Sequence, residues 1–182
     1  MLAYVFWHVP RPGSVAREYE SAHGAFHGAL RAAGVRSLHG LQVFRLDSIP
    51  WLGGQAGYED WHLLEDSAAL DVLDRAAVSE ARRESHDRIA ALAGSGTAGL
   101  YGLRLGKAIG PAMAYWLAKP DGMSYAAFEA SLKPLVDTGC TLWGRRMTLG
   151  PTPEFCLHAP AKCELPYPAL ALSLSPVSSP SP

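Results

Sequence analysis

MLAYVFWHVPRPGSVAREYESAHGAFHGALRAAG, residues 1–34, decides how this chain is read. Met1 to Val9 is rich in aromatic and branched side chains and stops at Pro10-Arg11-Pro12-Gly13, which reads as a strand and its exit turn. From Ser14 the period changes. Val15, Tyr19, Ala22, Phe26, Leu30 and Ala33 recur every three or four residues, the spacing that lines one face of a helix. Gly34 then ends the helix, because glycine takes a left-handed conformation at little cost.

Working outward, a second strand fits Leu38 to Leu46, and Asp47-Ser48-Ile49-Pro50 with Gly53-Gly54-Gln55-Ala56-Gly57 forms a hairpin connection. That glycine run joins two strands and lacks the Gly-Lys-Ser/Thr ending of a phosphate-binding loop. A third strand fits Tyr58 to Leu64. Asp66 or Ser67 offers an oxygen to cap a further helix. The stripe of that helix runs through Leu70, Leu73 and Ala77 and, after a bend near Ser79, through Ala81, Ser85, Ile89 and Leu92. Arg82, Arg83, Glu84, Asp87 and Arg88 make its solvated face. Gly94-Ser95-Gly96 reads as the end of the helix, and Thr97 to Leu105 as a fourth strand. The order βαββαβ is the ferredoxin-like arrangement, an antiparallel sheet covered on one face by two helices.

The remainder repeats this order. Shifted by 109 positions, Phe6-Trp7 falls on Tyr115-Trp116, Gly13 on Gly122, Tyr19 on Phe128 and Glu20 on Glu129. Strand 112–119, helix 125–137 with Pro134 inside it, strands 141–149 and 154–159, and a last strand 169–174 give βαβββ. Residues 160–166 stand where a second helix would be. The expected fold is therefore α+β: two tandem ferredoxin-like units, 1–106 complete and 111–174 trimmed, packed sheet-to-sheet as an α+β barrel. Residues 175–182 read as a flexible Ser/Pro tail. An area left bare by the missing helix would call for a second subunit, and so for a homo-oligomer, unless the Pro-rich segment covers it.

Composition narrows the function classes. The chain has 182 residues, 48% apolar, with 16 basic and 17 acidic side chains and a net charge of −1. Its mean hydropathy is +0.03. No excess of positive charge supports nucleic-acid binding, and no apolar run approaches the ~20 residues of a membrane helix. Without an export signal at Met1–Val9, a cytoplasmic location is expected, with Cys140, Cys156 and Cys163 as reduced, buried thiols rather than a zinc site.

The first helix, Glu18-Tyr19-Glu20-Ser21-Ala22-His23-Gly24-Ala25-Phe26-His27-Gly28-Ala29-Leu30, resembles that of EthD-like proteins of the dimeric α+β barrel superfamily. In those proteins an aromatic residue is followed four positions later by a histidine, then small residues or proline, and a leucine. Tyr19 and His23 match, while Gly24 and Ala25 stand where proline is expected. The resemblance implies a ligand cavity either between sheet and helices or between two sheets, with Tyr19 and His23 at it.

Strand alternation groups the polar residues. Tyr4, Phe6 and His8 share one face of the first strand, and Tyr58, Asp60 and His62 one face of the third. Val43 points with Arg45, and Gly102 with Arg104. If these sets face a sheet–sheet interior, His8, Asp60, His62, Arg45 and Arg104 converge there. An Asp beside a His fixes the imidazole tautomer and makes a general base, and an Arg stabilises an enolate or carboxylate. Satisfied ion pairs at a structural interface are the competing reading. His23 and His27, one helical turn apart, can grip a metal with Glu20 as a further ligand, but no complete set can be assigned. A role at the edge of the helix is the alternative. Haem, through His23, His27 or His86, is a minor alternative.

The expected activity is that of an enzyme without a bound cofactor, working by proton transfer or oxygenation on a small apolar or aromatic molecule. His23, His8, His62 and Asp60 are the catalytic candidates. Tyr4, Tyr58, Arg45, Arg104 and Tyr19 are the ligand-binding candidates. A non-catalytic ligand-binding or oligomerisation module is the alternative, since one fold hosts many jobs.

Overall fold

The computed structural model describes residues 1–147 and 149–177. The chain divides into two compact units, one of residues 1–98 together with Pro176 and Val177, the other of residues 99–175. The fold is α+β.

In the first unit, β1 (Leu2–Pro10), α1 (Ala16–Ala32), β2 (Leu38–Ile49) and β3 (Gln55–Leu64) are followed by α2 (Ala68–Ala77), α3 (Arg83–Leu92) and the opening of β4 (Ala93–Leu105). The strands lie in the order β4-β1-β3-β2. β3 is antiparallel to both neighbours, with Phe6 and Val43 opposite Asp60 and Tyr4 and Leu41 opposite His62. Being central, β3 is buried on both faces from Gly57 to Leu64. The second crossover is broken near Ser79, where a short 3-10 turn (Glu80–Arg82) separates α2 from α3. Asp66 accepts a hydrogen bond from the Ala69 N–H at the start of α2.

Gly94-Ser95-Gly96 was expected to end a helix but belongs to β4. The reason is a close approach. A Cβ on Gly96 would stand 2.7 Å from the Phe6 ring, and one on Gly94 would stand 2.9 Å from the Pro10 carbonyl oxygen. Glycine here serves strand passage, not helix termination. α1 does end at a glycine, Gly34, in the left-handed region.

The core between this unit's sheet and helices is built from Tyr19, Ala22, Leu30, Leu41, Val43, Tyr58, Leu64, Ala69, Leu73, Ala76 and Ile89. The other sheet face carries Trp7 and Trp61, both fully buried, with Trp51 edge-on to Trp7.

The second unit contains the rest of β4, then β5 (Met113–Leu117), α4 (Tyr125–Asp137), β6 (Thr141–Arg145), β7 (Phe155–Ala159) and β8 (Leu170–Ser173). Its order is β8-β5-β7-β6-β4. β6 ends at Arg145, four residues short of the expected strand, and Thr148 lies outside the described residues. α4 continues through Pro134, and Ser124 caps it by accepting from the Ala127 N–H. Phe128, Leu132, Leu142, Phe155 and Leu157 form its core.

Residues 160–167 hold no helix. Cys163, Leu165 and Tyr167 pack against that core, and the Tyr167 hydroxyl meets Ser131 Oγ at 2.6 Å. The area left by the absent helix is thus covered by the chain itself. Cys140 and Cys156 are buried and Cys163 half-buried, all as free thiols, and burial pushes the Cys140 thiol up to about 11.

Of the expected loose tail, Ser175 and Pro176 form a short strand, β9, and the Val177 N–H donates to the Val43 carbonyl at 2.9 Å. Residues 178–182 lie outside the described residues. Among the described residues, no helix is long and apolar enough to cross a membrane.

Candidate functional site

The site lies within the first unit, between its sheet and its helices. Alternation in β1 sends Ala3, Val5, Trp7 and Val9 to one face and Tyr4, Phe6 and His8 to the other. Tyr4 and Phe6 are only half-buried because they border a cavity of about 630 Å³. Phe26, Leu30, Leu70, Leu73, Ala77 and Ile89 make its apolar walls, and His8, His23, His27, Asp60 and His62 its polar side, while Asp71, Asp74 and His86 also border it. α1 presents Tyr19, His23 and His27 at four-residue intervals, so one helical face faces the strand residues.

Asp60 is the centre of the cluster. Three imidazole Nε2 atoms surround its carboxylate: His23 at 2.7 Å from Oδ2, His8 at 3.3 Å from Oδ1, and His27 at 3.4 Å from Oδ2. Only the first is a hydrogen bond by distance. His8 Nε2 and Asp60 Oδ1 are buried without a hydrogen-bond partner. His8 turns its other nitrogen, Nδ1, to the Tyr19 hydroxyl at 2.5 Å. The His23 and His27 rings are 4.2 Å apart, and His62 stands edge-on to His27.

Burial alone would raise the Asp60 carboxyl. The charges of His8, His23 and His27 outweigh it and hold the group well below the usual carboxylate range. Burial lowers His27 against the opposing pull of Asp60. It lowers His62 to about 4. Burial, reinforced by Asp60, raises Tyr19, so its phenol stays protonated. The arrangement supplies one fixed negative charge, a set of imidazoles and a phenol, beside a hollow with apolar walls.

The structure therefore brings His8, His23, Asp60, His62, Tyr4 and Tyr19 together. Their common face is turned toward the helices of their own unit, and this corrects the expectation of a sheet–sheet interior. Histidines on α1 supply the partners that the strand residues need. His23 and His27 are 3% and 2% exposed, so they are centred on the stripe and not at its edge.

Arg45 does not converge with them. It pairs with Glu20, which also accepts from the Tyr58 hydroxyl at 2.9 Å. Tyr58 is buried in the core, with burial and Glu20 raising it to about 12. Glu20 is thus turned away from His23 and is not a third ligand beside it. Arg104 belongs to the second unit, pairs with Glu129, and borders a separate hollow of about 220 Å³ with Tyr125 and Arg145. Sequence reasoning left out Phe6, Phe26 and Leu73 as site residues, and it brought in His27, through the four-residue step from His23, only for a metal or haem.

No family model matches the chain, and no curated protein sequence matches it. Solved structures do. A candidate monooxygenase from Fusobacterium nucleatum superposes with a TM-score of 0.66 at 13% identity, over 97% of this chain and 92% of that one. A candidate monooxygenase from Lactobacillus acidophilus gives 0.56 at 7%, over 97% and 94%. A candidate chlorite dismutase gives 0.51 at 9%, over 97% and 96%. At these identities the likeness is one of fold, a ferredoxin-like α+β arrangement.

Proposed function

We propose that the first unit is a small-molecule enzyme that moves a proton on a small apolar or aromatic compound held in the cavity between its sheet and helices. The observation that carries this reading is the Asp60 cluster at the side of a hollow with mostly apolar walls. Asp60 orients His23 by accepting from its Nε2–H. That leaves Nδ1 as the nitrogen able to take a proton from a bound molecule. Tyr19, kept as a phenol, holds His8 beside the same carboxylate. The aromatic walls suit a flat apolar substrate.

The second unit supports the reading by contrast. Positions 109 on from His8 and His23 are Leu117 and Leu132, both in that unit's filled core. A helix can thus pack on such a sheet with apolar residues alone, and a cluster serving only to hold the fold together has no need of four histidines. We infer that the second unit is a trimmed copy of the first. The EthD-like resemblance gains support from Tyr19 and His23, which both line the cavity. Two structural neighbours are described as candidate monooxygenases, which is compatible with an enzyme acting on a small organic molecule. Haem is a poor fit at His23 and His27, whose Nε2 atoms face the buried Asp60 carboxylate.

The test uses 5-nitrobenzisoxazole, a small aromatic compound whose ring opens when a base removes its C–H proton. The purified protein should open it faster than an equal concentration of free imidazole, and His23→Gln and Asp60→Asn should each lose most of the rate. A rate equal to free imidazole, or one indifferent to both substitutions, overturns the reading and leaves a binding module.

A further inference from the structure

We propose that His8, His23 and Asp60 form a binding site for one divalent first-row transition-metal ion. The inference rests on reading this cluster as the working centre of the cavity. The three donors come from β1, α1 and β3, and their ligand atoms lie within 4.8 Å of one another. Two donors each about 2.1 Å from one ion stand roughly 3.0 to 3.4 Å apart for octahedral to tetrahedral angles. The His8–Asp60 separation, 3.3 Å, falls in that range and is too long for a well-formed N–H···O bond.

Two of the facing atoms, His8 Nε2 and Asp60 Oδ1, are buried and have no hydrogen-bond partner. Polar atoms are rarely left so without a reason, and a cation between them answers both. The outer shell is also in place. If the His8 Nδ1–H donates to the Tyr19 hydroxyl, the Nε2 lone pair is free on the Asp60 side, as a metal-bound imidazole requires. Loading replaces the 2.7 Å His23–Asp60 hydrogen bond: the His23 proton moves to Nδ1, and Nε2 and the carboxylate both turn to the ion. Nitrogen-rich donors with one carboxylate suit zinc, iron(II) or cobalt(II) rather than magnesium or calcium. Because the donors share a wall of the cavity with aromatic rings, a bound ion can contact a carbonyl or phenolic oxygen of a molecule held there.

The experiment is a titration of chelator-treated protein with cobalt(II), followed by its visible absorption, with zinc(II) added afterwards. One equivalent should bind, with visible bands that zinc removes. His23→Gln and Asp60→Asn should each weaken uptake by at least tenfold, and Tyr19→Phe by a smaller factor. His39→Ala, at an exposed position on β2, should leave uptake unchanged. Circular dichroism identifies any variant that fails to fold, and the other variant then decides. No uptake by the wild-type protein, or uptake indifferent to both donor substitutions, overturns the site. Cobalt uptake needs no organic molecule, and 5-nitrobenzisoxazole opening is read on metal-free protein, so either reading can fail without the other.

Discussion

Glu59 and Asp60 are consecutive in β3 and send two buried carboxyl groups to opposite faces of the sheet, where they are pushed in opposite directions. Asp60 meets imidazoles and stays ionised. Glu59 meets the indole N–H groups of Trp7 and Trp61, each at 2.6 Å, and burial raises it to about 7 in spite of them. Neutral indole donors offset less of the cost of a buried charge than imidazoles that can carry positive charge.

Glu59 should make the protein less stable as pH rises. The unfolded chain gives up this proton near the ordinary carboxyl value of 4.5 and the folded chain near 7. Stability from this group is complete below the lower value and declines across the window, by up to roughly 3 kcal/mol. In Glu59→Gln, urea unfolding at pH 5, 6, 7 and 8 should show a flatter profile. An unchanged slope rules out the shift.

His158 should act in the other direction. Burial lowers it to about 3, so the unfolded chain takes up a proton near 6.5 while the folded chain stays neutral. Stability falls as pH drops through that window. His158→Gln should weaken the fall between pH 6.5 and 4 in the same denaturation series. A fall as steep as in the wild type would contradict this.

Two glycines should give opposite outcomes. Gly96→Ala drives a Cβ to 2.7 Å from the Phe6 ring and 2.9 Å from the Trp7 carbonyl, and should cost about 1–3 kcal/mol. Gly28→Ala, exposed in α1 with open space around it, should stabilise by about 0.5–1 kcal/mol. Thermal midpoints of the two variants moving the same way would refute the contrast.

Ala77→Trp should fill the cavity from its α2 wall and abolish opening of 5-nitrobenzisoxazole while leaving the cobalt bands in place. Retained turnover would place the reacting molecule elsewhere.

Tyr19→Phe removes the hydroxyl that faces His8 Nδ1 and leaves that buried nitrogen alone, a cost of about 1–3 kcal/mol. Urea unfolding measures it. An unchanged stability would mean that the 2.5 Å contact contributes nothing.

The sequence made the elements legible because periods of two and of 3.6 are local properties. β1, α1, β3, α4 and the bend near Ser79 follow from them directly. Alternation also showed that His8 and Tyr4 share a face, as do Asp60 and His62. It did not show which way that face turns, because this depends on what packs there, and the partners, His23 and His27, lie on another element. Gly94 and Gly96 misled for a related reason. Glycine marks both a helix end and a close backbone approach, and the atoms that decide between them, the Phe6 ring and the Pro10 carbonyl, are about 85 to 90 residues away in the chain. Arg45 and Arg104 share their positions with site-like neighbours, but each has a glutamate on a helix nearer than any ligand.

The hydrogen bond from Val177 to Val43 bears on how the first unit can be isolated. A polypeptide cut after Ala98 would contain the whole cavity and every histidine of the cluster. It would also leave the outer edge of β2 open where Val177 now closes it, and an open strand edge invites pairing with other chains. Such a fragment should self-associate, and joining residues 174–177 to it through a flexible linker should restore a dispersed species in size-exclusion chromatography.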